Sequence, residues 1–306
     1  MNFADWLNPT ESHLFYQRQD LNDVRLGEEV KHAWEDYSTA TTILIGCPQE
    51  EGVRRNKGRL GTAQAPRAIR TALYRLVAPS SETILLDVGD TRIQPTLEET
   101  HAVHSQLIQQ FIQDGKRVVS LGGGNDLSYA DCMGLVKAGH EVLAINIDAH
   151  FDVRVDAVRN SGTPYRQLLE EGWIQPNNFY EVGSLPMVNS VVYRRYLDEL
   201  GVQVVEYDTL RQQGIQTVFE RILANPAPAI FWGFDMDVVH VADAPGVSAP
   251  NSLGLSAFEC VEVARLAGQD PRSRLYEITE VNPAFDLDDR TSRLAALAIY
   301  QFIYSV

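Results

Sequence analysis

Two short acidic stretches of the sequence hold side chains that bind divalent metal ions, and each follows an apolar run. The first stretch places Asp148, His150 and Asp152 at alternate positions, and the second places Asp235 and Asp237 two residues apart. Successive side chains of a strand point to opposite faces, so residues two apart share a face. Each stretch therefore presents its polar side chains together as its strand ends.

The two stretches together predict a metal centre. Parallel strands deliver side chains from their carboxyl ends to one edge of the sheet, where α/β proteins bind ligands. Four carboxylates and one imidazole neutralise two divalent ions about 3.5–4 Å apart, and this donor set suits Mn²⁺. For the first stretch alone, a loop that caps the next helix is the alternative. Both stretches at one edge favour metal, because so many carboxylates without an ion would repel one another.

A cationic loop follows an earlier strand end and can reach the same edge. Residues 51–61 include Arg54, Arg55 and Arg59, with Asn56 between them. The guanidinium group presents a planar fork that matches a carboxylate. The loop therefore predicts binding of an anionic small molecule, and a solvated basic loop is the alternative.

Two more strand ends bring useful groups to this edge. The glycines at 122–124 precede Asn125 and allow a backbone to approach a ligand closely. A phosphate-binding loop would need a following Lys-Ser/Thr or a G-x-G-x-x-G pattern, and neither is present. Glu280 ends the last strand, where it either fixes a cationic part of a substrate or caps a loop.

A mainly parallel sheet must position these side chains. Helical spacing between the strands, for example at 97–114 and 256–267, predicts right-handed β-α-β crossovers that cover both faces of the sheet. The fold class is therefore α/β. Eight apolar segments predict its strands: 42–48, 83–88, 117–121, 141–147, 179–182, 202–206, 229–232 and 274–278.

Bulk composition limits the partners of this protein. The 306 residues are 44% hydrophobic and predict one domain, 1–306, with residues 1–40 as an N-terminal surface extension. The net charge of -15 would repel nucleic acid and anionic membrane surfaces. No apolar run approaches the ~20 residues of a membrane span. The start lacks a secretory pattern, and three unpaired cysteines fit a reducing compartment, so we expect a cytoplasmic protein.

The ordered set of motifs resembles the ureohydrolase family, which includes arginase, agmatinase and formimidoylglutamase. Formimidoylglutamase is the most similar branch, by segments such as 160–164 and 245–251. The resemblance implies a three-layer αβα sandwich around an eight-stranded, mainly parallel sheet, two Mn²⁺ ions and a homotrimer or homohexamer. The motifs are G-G-G at 122–124, D-A-H-F-D at 148–152, D-M-D at 235–237 and E-V-N-P at 280–283.

The resemblance also implies a role for each site residue. Asp148 and Asp235 would bridge the ions, His150 and Asp237 would complete one site, and Asp152 would serve the other and move a proton. A metal-bound hydroxide would attack the formimino carbon of N-formimidoyl-L-glutamate, releasing L-glutamate and formamide. Together with Asp152 and His150, Glu280 is expected to be catalytic, by pairing with the cationic nitrogen. The candidates for binding the substrate carboxylates are Arg54, Arg55, Asn56, Arg59, Arg159 and Ser161.

Two positions depart from the family pattern. Asn125 stands where the family has a metal-binding His, and a neutral amide is a weaker ligand, so we expect that site to be weak or empty. Ser161 stands where arginase and agmatinase have a His, which argues against those two activities. The alternatives are a guanidino-acid hydrolase or agmatinase-like enzyme, or an impaired relative that only binds a metabolite.

Overall fold

One nine-stranded sheet runs through the protein. The computed structural model describes residues 3–305, with side chains from residue 5 onward, so the first two residues of the predicted extension lie outside the described part. The strand order is β1-β3-β2-β4-β9-β8-β5-β6-β7, and all neighbouring strands are parallel except β1 and β3. The strands are β1 Leu7–Asn8, β2 Thr42–Gly46, β3 Leu85–Thr91, β4 Arg117–Leu121, β5 Val142–Ile147, β6 Phe179–Ser184, β7 Gln203–Glu206, β8 Ala229–Asp235 and β9 Ser273–Thr279.

The eight predicted strands correspond to β2 through β9, which confirms the α/β fold class. The ninth strand, β1, is only two residues long and pairs antiparallel with the end of β3. Sequence patterns did not predict it, because two residues are too few to show an alternation of apolar and polar side chains. It lies within the 1–40 segment, which also places Leu14, Phe15 and Leu26 in the core.

Helices cover both faces of the sheet. None of the helices in the described part of the chain is long and apolar enough to cross a membrane. The α-helices between residues 3 and 305 are α1 Leu26–Glu29, α2 Glu51–Arg55, α3 Ala65–Leu73, α4 Leu97–Gln113, α5 Leu127–Lys137, α6 Pro164–Glu170, α7 Val191–Leu200, α8 Tyr207–Gln213, α9 Ile215–Leu223, α10 Ala257–Gln269 and α11 Arg290–Tyr304.

Local sequence defines where two long helices begin. The Thr96 hydroxyl accepts from the main-chain N–H of Glu99, and the Glu99 carboxylate accepts from the Thr96 main chain, which starts α4. Ser256 and Glu259 form the same reciprocal pair at the start of α10. Such a capping box satisfies two main-chain donors that a helix end otherwise leaves free.

The central strands separate two hydrophobic cores. Along β5, Leu143 and Ile145 face the core formed with α3 and α8–α11, whereas Val142 and Ala144 face the core formed with α4–α7. All six residues of β5 are buried, as expected for a parallel strand covered on both sides. The arrangement is the three-layer αβα sandwich, with the sheet as its middle layer.

Candidate active site

The polar motifs meet because their strands are neighbours in the middle of the sheet. The order β4-β9-β8-β5 places four consecutive strands side by side. Their carboxyl ends carry, in turn, the glycine loop at 122–124, Glu280, the segment 235–237 and the segment 148–152. Residues that are more than 150 positions apart in sequence therefore share one edge of the sheet.

Main-chain hydrogen bonds fix the first carboxylate of each acidic motif. The N–H of His150 donates to Oδ1 of Asp148 at 2.7 Å, and the N–H of Asp237 donates to Oδ1 of Asp235 at 2.8 Å. An aspartate that accepts from the main chain two residues on forms an Asx turn. This turn ends each strand and holds the carboxylate at the sheet edge.

Two groups of side chains are arranged so that each could hold a metal ion. Asp148, His150 and Asp237 form one group, and Asp148, Asp152 and Asp235 form the other. Within each group the potential ligand atoms lie within 4.8 Å of one another. Nδ1 of His150 is 3.3 Å from Oδ1 of Asp148 and 3.1 Å from Oδ2 of Asp237. Asp148 belongs to both groups, as a bridging ligand would.

The electrostatics of the cluster fit a bound cation. Burial raises the pKa of Asp235 and of Asp152 well above its usual range, and neighbouring carboxylates raise both further. Burial also raises the pKa of Asp237 to about 6, although His150 opposes that shift. Burial lowers the pKa of His150, but the carboxylates of Asp237 and Asp148 outweigh it and raise that pKa well above normal. A single imidazolium leaves several carboxylates uncompensated, and a divalent ion is the group that would neutralise them.

Asn125 touches both sides of this cluster. Its Nδ2 donates to Oδ2 of Asp152 at 2.7 Å and to Oδ2 of Asp148 at 3.3 Å. Its Oδ1 accepts from the hydroxyls of Ser128 and Thr279, each at 2.9 Å. A half-turn of the amide would direct Oδ1 at the carboxylate cluster, and both hydroxyls could then accept from Nδ2. Asn125 can therefore present either its nitrogen or its oxygen.

Glu280 is held in a left-handed backbone conformation next to the cluster. Its φ is 62°, a value that costs free energy for a residue other than glycine and often marks functional positions. Oε1 accepts from the main-chain N–H of Asn125 at 2.7 Å, whereas the buried Oε2 has no hydrogen-bond partner among the described residues. Burial raises the pKa of Glu280 to about 8, opposed by the nearby Ser248 hydroxyl and the Asn125 amide.

A cavity of about 600 Å³ opens over these side chains. Its wall includes His150, Asp152, Asp235, Asp237 and Glu280. Among the predicted substrate-binding residues, Asn56, Arg59 and Ser161 line it. Nδ2 of Asn56 donates to the Ser161 hydroxyl at 2.9 Å, which joins the cationic loop to the 160–164 segment.

The other three predicted arginines do not line this cavity. Arg54 is exposed and pairs with Glu51 at 2.6 Å. Arg55 pairs with Glu51 at 2.8 Å and with Glu98 at 2.6 Å. Arg159 lies 3.8 Å above the ring of Tyr129, and its Nη1 is 3.1 Å from Nδ1 of His101. All three guanidinium groups have protein partners, and the structure does not bring them to this cavity.

Two cations that sequence reasoning did not select do line the cavity. The guanidinium of Arg154 and the ammonium of Lys57 form no ion pair or hydrogen bond with any residue among 5–305. Arg154 follows Asp152 by two positions in an irregular segment beyond β5, where the alternation of a strand does not predict its side. Lys57 belongs to the cationic loop at 51–61, and its ammonium lines the cavity.

One supporting residue carries no sequence signal. Oδ1 of Asn189 accepts from the N–H of Phe151 at 3.0 Å, and its Nδ2 donates to the carbonyl of Ala149 at 2.8 Å. These two bonds hold the 148–152 segment from a loop 38 to 40 residues downstream. An isolated asparagine next to an irregular turn gives no periodicity from which this contact could be predicted.

Comparison with known proteins agrees with this site. The profile of the Arginase family matches residues 40–304. The chain belongs to the arginase family. The ureohydrolase resemblance predicted from the motifs is thereby confirmed, and so is the αβα fold that it implied.

Relatives within the arginase family cover most of the chain. A formimidoylglutamase of Paraburkholderia xenovorans is 33% identical over 85% of this chain and 87% of its own. A Trypanosoma cruzi formiminoglutamase crystallised with Mn²⁺ superposes with a TM-score of 0.87 at 30% identity, covering 92% of this chain and 98% of that one. For a Bacillus subtilis formimidoylglutamase the TM-score is 0.88 at 28% identity, with 95% and 94% covered.

Proposed function

We propose that this arginase-family protein hydrolyses N-formimidoyl-L-glutamate to L-glutamate and formamide. The observation that carries this proposal is the convergence, in one cavity, of two potential metal-binding groups, an unpartnered Glu280 Oε2 and two unpaired cations. The substrate class is further supported by relatives, since three that are 31–33% identical to this chain bear the name formimidoylglutamase.

The charges of the cavity complement this substrate. Its formimino group is cationic when protonated, and Oε2 of Glu280 is a buried acceptor without a hydrogen-bond partner that such a group can use. Its two carboxylates need donors, and the charged groups of Arg154 and Lys57 line the cavity without a hydrogen-bond or ion-pair partner among the described residues. Bonds between charged donors and carboxylates are roughly twice as strong as neutral ones. The cavity thus offers groups that complement both the cationic and the anionic parts of this substrate.

The chain's own residues perform the proton and positioning steps. Asp148, His150, Asp152, Asp235 and Asp237 would hold two Mn²⁺ ions, with Asn125 as a further possible ligand. When bound, such ions lower the pKa of water and supply a nucleophile at neutral pH. Asp152 accepts the proton of the attacking water, and Glu280 holds the formimino nitrogen. The new C–O bond forms at the formimino carbon, and the bond to the glutamate nitrogen breaks. That nitrogen takes the proton held by Asp152 and, as the hydroxyl becomes the carbonyl of formamide, the second proton of the water.

The test is release of glutamate and formamide by metal-stripped protein during titration with Mn²⁺, with bound metal counted on the same samples. We expect turnover to appear as the second equivalent binds. Agmatine and a guanidino acid are assayed in parallel, because both belong to the substrate range of related enzymes. Turnover of a guanidino acid alone would reassign the substrate. Absence of turnover with any of them at saturating Mn²⁺ would identify a metabolite-binding relative.

We also propose that the chain forms one domain, 1–306, and acts in the cytoplasm as a homotrimer or homohexamer. The thiols of Cys47, Cys132 and Cys260 are free and buried, which fits a reducing compartment. Light scattering at several protein concentrations tests the assembly. A mass of about one chain at all concentrations would contradict it.

A further inference from the structure

Arg59 lies on the cavity wall, but its guanidinium is committed to the protein main chain. Nε donates to the carbonyl of Ser248 at 3.3 Å, and Nη2 donates to those of Val247 and Pro245, the latter at 3.5 Å. The guanidinium also lies 4.3 Å from the centre of the Phe285 ring. Burial without a carboxylate partner lowers the pKa of Arg59. An arginine that binds an anion would be expected to keep its fork free.

The side chain of Asn282 holds the main chain at Arg59 and Leu60. Nδ2 of Asn282 donates to the carbonyls of Arg59 and Leu60, at 2.9 and 3.2 Å. The N–H of Asn282 donates to the carbonyl of Gly246 at 2.6 Å. Asn282 belongs to the segment that follows Glu280, so these bonds join the cationic loop, the 245–248 segment and the end of β9.

The segment that Arg59 holds reaches the catalytic glutamate. Ser248 lines the cavity together with Glu280, and its hydroxyl lies close enough to oppose the effect of burial on that carboxylate. Val247 pairs with Val281 in an antiparallel bridge, one residue beyond Glu280. A shift of the 245–248 segment would therefore move both the hydroxyl and the main chain that carries Glu280.

We propose that Arg59 is a positioning residue: it holds segment 245–248 so that the Ser248 hydroxyl and the Glu280 carboxylate form a fixed pair of acceptors for the cationic end of the substrate. The substrate carboxylates are bound by other cations of the cavity, Arg154 and Lys57. The choice of substrate rests on the proposed function. The contact between Arg59 and the 245–248 segment does not.

Arg59→Lys distinguishes positioning from anion binding. Lysine keeps the positive charge, but it is a point charge that cannot reproduce the planar fork spanning three carbonyl groups. We expect kcat to fall by about ten- to a hundredfold in both Arg59→Lys and Arg59→Gln, because small displacements of a catalytic group cost rates of this order. KM should change by less than about threefold in either variant.

Hydrogen exchange gives a second measurement that needs no turnover. Amide exchange within residues 245–251 should rise in both Arg59 variants, but not in Arg67→Gln, which removes an exposed arginine of α3 outside the cavity. Unchanged amide exchange in the Arg59 variants would overturn the positioning role of Arg59, even if the protein proved inactive on every substrate. Failure of the wild type to hydrolyse N-formimidoyl-L-glutamate would overturn the proposed function instead.

Ser248→Ala covers the case in which the Arg59 variants do not fold. It removes only the hydroxyl, so we expect a lower kcat with KM nearly unchanged and no rise in amide exchange. An unchanged kcat in Ser248→Ala would overturn the acceptor pair. If Arg59→Lys keeps the kcat of the wild type and Arg59→Gln raises KM, the positive charge of Arg59 matters more than its fork. Arg59 would then be a carboxylate ligand, and the proposal would be overturned.

Discussion

Asn125 is the residue that most distinguishes this metal site from the family pattern. Both polar atoms of its amide have hydrogen-bond partners: Nδ2 donates to carboxylates, and Oδ1 accepts from the Ser128 and Thr279 hydroxyls. Because both hydroxyls can donate or accept, they support the amide in either orientation. The neutral amide remains a weaker ligand than an imidazole, and the low affinity of that site remains a prediction.

Replacing Asn125 with His tests how much this ligand contributes. We expect Asn125→His to tighten the weaker of two bound Mn²⁺ ions by about tenfold or more, because an imidazole nitrogen replaces a neutral oxygen donor. Electron paramagnetic resonance of free Mn²⁺ during a titration measures both affinities directly. Equal affinities in the two proteins would show that this position does not govern metal binding.

Arg154 acts through a single guanidinium on the wall of the cavity. We expect Arg154→Gln to raise KM for a dicarboxylate substrate by about tenfold or more while kcat changes little, since uniform binding of the substrate is lost. Lys57→Gln should act in the same direction. Steady-state kinetics measures the split, and a fall in kcat at constant KM would contradict the assignment.

At the scale of elements, the loop after β4 depends on a close approach between two chain segments. A methyl group on Gly123 would lie 1.7 Å from the main-chain oxygen of Gln49. No flexible side chain can relieve this overlap, because the obstacle is backbone. The carbonyl of Gly123 also accepts a hydrogen bond from the main-chain N–H of Glu280, at 2.9 Å.

Gly123→Ala should therefore disturb the site as well as the fold. We expect a lower melting temperature together with weaker Mn²⁺ binding, because the loop that carries Asn125 must move. Ser256→Ala is the matched comparison, since it removes only the cap of α10 and should cost about 1 kcal/mol. Calorimetry and metal titration of both variants check this. Intact metal binding in Gly123→Ala would contradict the prediction.

At the scale of the whole molecule, the buried acidic cluster links stability to pH and metal. The folded-state pKa of Asp237 is raised to about 6 and that of Glu280 to about 8. In the unfolded chain both groups lose their protons near their ordinary pKa values. Their contribution to stability is therefore complete below those values and is lost as the pH rises through about 6 and about 8.

The metal-free protein should thus become less stable between about pH 5 and about pH 8. Mn²⁺ should stabilise the folded protein by about 2.7 kcal/mol when its concentration is a hundred times the dissociation constant. At a fixed Mn²⁺ concentration the stabilisation should be larger at the higher pH, because Mn²⁺ then replaces no protons. Thermal unfolding with and without Mn²⁺ measures both effects. Asp237→Asn should reduce the pH dependence, and a metal-free melting temperature that rises across this range would contradict the argument.

The sequence by itself determined the strands and the chemistry at their ends. Buried parallel strands read as apolar runs, and the polar residues that follow two of these runs marked the acidic motifs at 148–152 and 235–237. The strand predictions were confirmed because each depends on neighbours within one strand. Asp148, His150 and Asp152 lie beyond β5, which ends at Ile147, and Asp152 has a left-handed φ of 47°, so an irregular turn brings them together. Their roles as metal ligands stay a prediction.

Only the tertiary structure decided which cations line the cavity without a partner among the described residues. Arg54, Arg55, Arg59 and Arg159 have the same chemistry as Arg154, but Glu51, Glu98, Tyr129 and distant carbonyl groups engage them first. Glu51 lies on α2 together with Arg54 and Arg55, but the other partners come from other elements, up to 189 residues away for Arg59. The spacing of Glu51 from Arg54 and Arg55 is a local helical pattern. Local patterns carry no information about the distant partners, because those depend on how the strands are ordered in the sheet and how the loops pack above them.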